Sequence, residues 1–393
     1  MLMGTSMRIL AIETSCDETS VSIVDIDDTH YTILAHSIWS QIHLHKEFGG
    51  VFPAVAQRAH AEHLPKMITQ ALFDAGYPIG TKTSGNSLDT SLMAPFLERY
   101  PETQAHLERD LAHTEIPDID ALAVTYGPGL EPALWVGISV AQALSVLWNI
   151  PLIPVNHMEG HIASAYIPNL EHGMRHKRMP CIYPACALLI SGGHTEFVEM
   201  HAHNQFRVIG ATRDDAVGEA FDKVARLIGL PYPGGPHIEK AAGQAGVLDD
   251  ISFPRPMLHT QDFDMSFSGL KTAVRYFVQD IHGTITDTLK GSIARAFQDA
   301  VTDVLATKTK RVCETYHPQT FIVAGGVSAN THIKDALIQT IHAYNPKCTV
   351  IFPPKALATD NALMIACAAY DAYMRGDHTR INPITADGNL ALG

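Results

Sequence analysis

A strand–turn–strand pattern occurs twice in this chain, each time followed by a strand that runs through a glycine turn into a helix. The first copy is RILAIETSCDETSVSIVDID (8–27), with its break at Ser15–Thr19, followed by ALAVTYGPGLEPALWVGISVAQAL (121–144). The second is CALLISGGHTEFVEM (186–200), with its break at Ser191–His194, followed by TFIVAGGVSANTHIKDALIQTI (320–341). Both long segments end in apolar residues at helical spacing. Two matched pairs in the same order read as a duplication: two related α/β lobes, residues 1–150 and 151–393, joined near 150–185. Glycine turns at strand ends let backbone N–H groups approach a phosphate, and helices that start there add their positive ends. A nucleotide cleft between the lobes is expected, with Ser191–Gly193 facing phosphate and Gly325–Gly326 near the adenosine.

With 393 residues, 46% of them hydrophobic and 18% charged, the chain has the composition of a folded soluble enzyme rather than a disordered one. It contains no apolar run long enough for a membrane span. The N-terminal residues lack a secretory or transit pattern, and six scattered cysteines fit a reducing cytoplasm. A net charge of −13 argues against unaided binding of nucleic acid, which needs clustered Lys and Arg. The one dense basic run, RHKR (175–178), reads as a solvated loop or as part of a basic track. The segment 80–118 breaks the expected short link between a helix ending near Ala75 and the strand at Ala121, and is expected to be a surface insertion.

In NHMEGHIASA (156–165), His157 and His161 share a helical face. By spacing alone the pair is either incidental or a grip on one metal ion. Glu159 points about 200° around the helix from each, so the order HxExH lacks the base that HExxH supplies in zinc peptidases. In PPKALATDNALMIACAAY (353–370), Asp360 is a helix cap or a third ligand, and a His-His-carboxylate set suits iron(II) or zinc equally.

The stretches NHMEGH, LLISGGHTEF, GEAFDKVARLIGLPYPGGP, FPRPM, MSFSGLKT, AGGVSAN and ATDNALMIA resemble the tRNA adenosine threonylcarbamoyltransferases. These belong to the actin-like ATPase and sugar-kinase superfamily, and the resemblance runs from about Arg8 to Gly376 outside 80–118. The histidine of SGGHT resembles the bacterial and organellar branch. The resemblance implies an α/β fold of two duplicated lobes around a nucleotide cleft, with the C-terminal helix returning to that cleft. It implies transfer of a threonylcarbamoyl group from threonylcarbamoyl-AMP to the exocyclic amine of the adenosine 3′ of the anticodon, in tRNAs reading codons that begin with A. The implied cofactor is one divalent metal, iron(II) or zinc, on His157, His161 and Asp360. The implied adenylate contacts are Leu189, Ile190, Ser191, Gly192, Gly193, Asp222, Gly235, Glu239 and Asn330. An inactive paralogue and a small ATPase are the implied protein partners, beside tRNA.

Asp222 and Glu239 are also readable as ordinary helix-surface acids. An acyl-adenylate is already activated, so positioning and charge stabilisation matter more than a protein nucleophile. The proton of the attacking amine needs an acceptor; Asp17 and Glu18, in the turn CDET, are the candidates, with His194 a weaker one. Two departures from the family pattern, Glu131–Pro132 and the 80–118 segment, fall in the first lobe. A metallopeptidase, a kinase-like ATPase and a non-enzymatic scaffold are the rival readings. Each leaves the histidine pair with Asp360 either without its base or without a task.

Overall fold

A computed structural model describes residues 6–79, 88–112, 114–245, 251–378 and 384–393. Side chains alternate along a strand, so β1 (Met7–Glu13) turns Leu10 and Ile12 to one face and Ile9, Ala11 and Glu13 to the other. On one side β2 (Glu18–Ile26) pairs antiparallel with it and β3 (His30–Ser40) antiparallel with β2; on the other β4 (Ala121–Gly127) pairs parallel with it and β5 (Leu152–Asn156) parallel with β4. The short β6 (Arg175–Lys177) adds to β3, giving the order β5-β4-β1-β2-β3-β6. The second sheet has β7 (Ala185–Ile190), β8 (Thr195–Met200), β9 (Phe206–Ala211), β10 (Thr320–Ala324) and β11 (Thr349–Ile351), ordered β11-β10-β7-β8-β9. Strands β1 to β5 and β7 to β11 correspond one to one in order and in direction. The duplication read from the sequence is therefore present in the topology.

The chain divides into two units. Unit 1 comprises Met1–His45, Val51–Pro180 and Thr359–Leu392; unit 2 comprises Lys46–Gly50, Cys181–Ala358 and Gly393. Unit 1 carries α1 (Ile42–His45), α2 (Pro53–Asp74), α3 (Ala94–Leu97), α4 (Pro101–Leu111), α5 (Glu131–Trp148) and α6 (His157–Ser164). The last helix of the chain, α12 (Ala362–Arg375), also belongs to it. Leu10, Ile12, Val21, Ile23, Leu122 and Val124 share a core with residues of α2 and α5. Helix α12 packs on β1, β2 and β5 and against α6. Unit 2 carries α7 (Val217–Leu227), α8 (Gly234–Gly243), α9 (Ser268–Gln279), α10 (Asp287–Tyr316) and α11 (Thr331–Tyr344), around a core that includes Leu188, Phe221 and Phe297.

Three expectations are corrected. The boundary expected at 150/151 falls instead after Pro180, because β5 pairs with β4 and α6 packs on α12. The metal-ligand candidates therefore lie in unit 1 and not in a second lobe, and the C-terminal helix belongs to unit 1 as well. The 80–118 segment is more than a surface insertion: Met93, Leu97, Leu107 and Leu111 are buried in the core of unit 1, since the apolar residues of α3 and α4 form a stripe. Its residues 80–87 and 113 lie outside the described ones. The RHKR run pairs with β3 through β6, and its last residue is buried. Arg178 donates to both carboxylate oxygens of Asp371 on α12, at 3.2 and 3.0 Å, and lies over the rings of Tyr166 and Tyr370. Among the described residues no helix is long and apolar enough to cross a membrane.

The Arg178–Asp371 pair yields a stability prediction. Asp371→Leu strands a buried guanidinium, so it is expected to lower unfolding free energy by about 3–5 kcal/mol in denaturant titration. The double variant Arg178→Met/Asp371→Leu should recover most of that loss; a double variant as unstable as the single one would refute the account.

Candidate functional site

Asn156 ends β5 and starts α6. Its side-chain oxygen accepts from the Met158 N–H at 2.8 Å, capping the helix, and its amide donates to the Ala391 carbonyl at 3.0 Å. The C-terminal peptide that receives this bond is itself tied to the β4–α5 turn, where Asp387 N–H donates to Tyr126 O and Gly129 N–H to Gly388 O. From that fixed start, one face of α6 presents His157 and His161, both buried, with ring centroids 4.6 Å apart. The spacing expectation for the pair holds.

Glu159, on another face, pairs with Arg375 of α12 at 3.0 Å and is not aimed at the histidines. Gly160 lets the two helices approach: a Cβ there would lie 2.8 Å from the tip of Ile365 and 3.2 Å from Met364 Cγ. At the start of α12 the cap is Asn361, which accepts from Met364 N–H at 2.9 Å. The Ala362 N–H donates to Ser20 on β2. Asp360 is thus not the helix cap, and its carboxylate faces the histidines instead. Asp360 Oδ1 is 3.4 Å from His157 Nε2 and 3.3 Å from His161 Nε2. One ligand atom from each of the three residues fits within 4.8 Å of the others.

Whether these residues suit a cation can be tested on the chain's own polar atoms. Both ring nitrogens of His161 are buried and have no hydrogen-bond partner among the described residues; the 3.3 Å approach to Asp360 lacks hydrogen-bond geometry. Buried polar atoms left this way are rare in folded proteins, and each asks for a partner. A cation held about 2.0–2.2 Å from nitrogen and oxygen ligands puts those ligands about 3.0–3.5 Å apart, which is the separation of Asp360 Oδ1 from each histidine Nε2. The residues fit a divalent metal.

Behind His157 lies Glu13, completely buried at the end of β1, whose Oε2 is 3.1 Å from His157 Nδ1. Burial pulls the His157 pKa down, but the Asp360 and Glu13 carboxylates outweigh it and push it up to about 10. Burial raises the Asp360 pKa, and the two histidines more than reverse that, holding it well below the usual carboxylate range. Asp17 and Glu18 are nearly buried beside this cluster. Burial and the negative charge of Asp360 raise the Asp17 pKa against a hydrogen bond from Glu18; burial, Asp17 and Asp360 push Glu18 well above the ordinary range. Ser40 donates to Glu18 at 3.2 Å.

The turn that bears these acids is held from beneath by His60 of α2. Its Nε2 is 2.9 Å from the Cys16 carbonyl and its Nδ1 2.7 Å from the Thr19 hydroxyl, while Gln41 bridges His60 to His45. A neutral ring satisfies both contacts, donating to the carbonyl and accepting from the hydroxyl. Burial, only partly offset by the Cys16 carbonyl and Glu13, lowers the His60 pKa to about 4.

The residues matched to an adenylate lie in unit 2. Leu189 and Ile190 end β7 and are buried; Ser191 N–H donates to His194 O at 2.8 Å, closing a tight turn. Gly192 and Gly193 have open space where a Cβ would stand, and both are exposed. Gly325 (φ +91°) brings the end of β10 against Ile190 O, where a Cβ would clash, and Gly218 brings α7 against Ser191 in the same way. Asp222 accepts from Gly234 N–H at 2.6 Å, next to Gly235. Glu239 accepts from Thr331 N–H at 2.7 Å, while Asn330 caps α11 and donates to Gln298. Asp222, Glu239 and Asn330 therefore each hold a structural hydrogen bond. The sequence reading missed Glu13, Asn156 and Gly160. Only Glu13 left a signal, as an acid closing the apolar run Ile9–Ile12.

Two sheets of matching topology, one unit carrying a His-His-Asp cluster with both histidines buried, define an actin-like ATPase-fold protein with a candidate metal centre. Similarity to known proteins carries this further. The family model described as TsaD: tRNA N6-adenosine threonylcarbamoyltransferase matches residues 32–81 and 108–367. A tRNA N6-adenosine threonylcarbamoyltransferase of Staphylococcus haemolyticus (strain JCSC1435) is 42% identical over 390 residues, 99% of this chain and 98% of that one. One of Staphylococcus carnosus (strain TM300) is 41% identical over 378 residues, 95% and 94% of the two chains. A solved structure of full-length HypF in the phosphate- and nucleotide-bound form superposes with a TM-score of 0.50 at 12% identity. It covers 97% of this chain and 48% of that one, a likeness of fold. The chain belongs to the tRNA N6-adenosine threonylcarbamoyltransferase family and is an acyltransferase. The family match is interrupted at 82–107, inside the segment read as an insertion.

Two predictions follow from this geometry. Gly160→Val should force α12 away from α6, costing about 1–3 kcal/mol in thermal unfolding and weakening Zn²⁺ binding. Unchanged metal affinity would show that the helix contact does not set the ligand spacing. For His60, the folded pKa lies below the unfolded one, so the unfolded chain takes the proton first as pH falls. Its stabilising contribution is intact above about 6.5 and is lost between about 6.5 and 4, on the order of 3 kcal/mol. His60→Gln should flatten the pH dependence of stability in that window; an unaltered slope would sink the assignment.

Proposed function

We propose that the chain transfers the threonylcarbamoyl group of threonylcarbamoyl-AMP to the exocyclic amine of the adenosine 3′ of the anticodon, in tRNAs reading codons that begin with A. The observation that carries this reading is the set His157, His161 and Asp360, two buried histidines facing a half-buried carboxylate, with the His161 ring nitrogens orphaned, in a chain of this family. The amine nitrogen attacks the carbamoyl carbonyl carbon, the bond from that carbon to the phosphate oxygen breaks, and AMP leaves with the electron pair. The amine gives up one proton.

A divalent cation on His157, His161 and Asp360, iron(II) by family resemblance or zinc, would supply Lewis-acid polarisation of the threonylcarbamoyl oxygens. Leu189 and Ile190 bring the strand to the Ser191–Gly193 turn, whose backbone N–H groups would hold the adenylate phosphate where no side chain blocks access. Asp222 and Glu239 would accept from ribose hydroxyls with their remaining capacity, beside Gly235 and Asn330. Asp17, which accepts a hydrogen bond from the protonated Glu18, would take the amine proton, since burial and Asp360 raise its pKa and a carboxylate with a raised pKa is a stronger base than an ordinary one. With a net charge of −13, the chain would depend on an inactive paralogue and a small ATPase to engage tRNA in the cytoplasm.

The test combines the purified protein of measured metal content, threonylcarbamoyl-AMP and unmodified A-decoding tRNA, with and without those partner proteins. Threonylcarbamoyladenosine is read by nucleoside mass spectrometry. His157→Ala and His161→Ala should each lower its formation by about 100-fold or more. Absence of product with the wild type and all partners, alongside ATP hydrolysis that needs the same histidines, would overturn the reading in favour of an ATPase.

A further inference from the structure

We propose that Glu13 is the positioning residue of this centre: it fixes the ring hydrogen of His157 on Nδ1 and so turns the Nε2 lone pair toward Asp360 and His161. The inference deepens the metal reading above and rests on it.

Glu13 is the last residue of β1 and is 0% exposed, on the opposite face from Leu10 and Ile12. A buried carboxylate is costly unless donors surround it. Here three converge. Oε1 accepts from Ser15 N–H at 2.5 Å, and Oε2 accepts from the Thr125 hydroxyl at 2.6 Å and from His157 Nδ1 at 3.1 Å. A carboxylate in such a cage only accepts, so the nitrogen facing it must be the one that carries hydrogen.

The alternative tautomer fails on the same contacts. Ser15 Oγ lies 3.2 Å from His157 Nδ1, and a hydroxyl alone permits either tautomer, since it both donates and accepts. Glu13 removes that freedom: with hydrogen on Nε2, the Nδ1 lone pair would face a carboxylate oxygen at 3.1 Å. With hydrogen fixed on Nδ1, Nε2 faces Asp360 Oδ1 at 3.4 Å, an arrangement that takes a proton between them or a metal cation in its place. The glutamate thus works through His157, as carboxylates behind metal-binding histidines do generally. Thr125 of β4 and the Ser15 amide keep the carboxylate from rotating away. Glutamine cannot replace it. Its amide group would point a donor either at Ser15 N–H, itself a donor, or at Thr125 and His157, where it would drive the ring hydrogen to Nε2.

The test uses the full-length protein stripped of metal, titrated with Zn²⁺ against a chromophoric chelator, with ¹⁵N-labelled His157 read by long-range proton–nitrogen correlation. Wild type should keep hydrogen on Nδ1 throughout the titration and lose it from Nε2 as Zn²⁺ binds. Glu13→Gln should raise the Zn²⁺ dissociation constant about 10–100-fold and populate the other tautomer, with cooperative melting retained. Ser15→Ala should leave Nδ1 carrying hydrogen, and His157→Ala should lose Zn²⁺ binding at least as far as Glu13→Gln does. Wild-type affinity in Glu13→Gln together with loss in His157→Ala would overturn the positioning role and leave the metal reading standing. Retained affinity in His157→Ala would overturn the metal reading itself. Should Glu13→Gln fail to fold, the Zn²⁺-loaded wild-type spectrum still decides: an Nδ1 without hydrogen refutes the proposal.

Discussion

The docking of the C-terminal helix on the first sheet is the contact that the candidate centre depends on. Helix α12 lies across β1, β2 and β5 and presses against α6. It seats Asp360 through the Asn361 cap and the Ala362–Ser20 bond, clamps Glu159 through Arg375, and buries Arg178 through Asp371. Without it, unit 1 would keep two histidines on a short helix and have no third ligand. Eight residues make a helix too short to stand alone in water, so the geometry of the pair is a product of packing rather than of local propensity.

Around that contact the chain gathers more buried charge than a stable core ordinarily tolerates. Glu13, Asp17, Glu18 and Asp360 lie in the same unit with two buried histidines; burial and the negative charge of Asp360 raise the Asp17 and Glu18 pKa values, while the histidines lower that of Asp360. Such concentrations are a mark of functional sites, because only a ligand, a metal or a reacting group justifies their cost. Backbone and hydroxyl donors hold the acids in place: Ser15 N–H and Thr125 on Glu13, Ser40 on Glu18, and His60 beneath the turn. Rigid placement of this kind is what a reaction that relies on positioning needs.

Unit 2 solves a different problem with the same topology. Its glycines at strand ends permit backbone to approach backbone, as Gly325 does at Ile190 and Gly218 at Ser191, while Gly192 and Gly193 stay open. Asp222, Glu239 and Asn330 tie α7, α8 and α11 to their neighbouring turns. The family match spans both units, yet it skips 82–107, where α3 and the first part of α4 have been absorbed into the core of unit 1. A segment that buries Leu97 and Leu107 there adds to the stability of the fold and does more than decorate its surface.

The duplication, the strands β1, β2, β4, β7, β8 and β10 and the helices that follow β4 and β10 were legible in the sequence, because hydrogen bonding and side-chain periodicity act over a few residues. So was the shared face of His157 and His161. What only tertiary structure decided was every relation made by distant parts of the chain. The domain boundary moved because β5 completes the first sheet. Asp360 proved to face the histidines because Asn361 took the cap. Arg178, within a run that reads as a solvated loop, is buried because Asp371 arrives from the last helix. Glu13 became a partner of His157 only when strand alternation turned it to the face that α6 covers. Local pattern specifies which elements form; which side chains meet depends on how those elements pack, and that is a property of the whole folded unit.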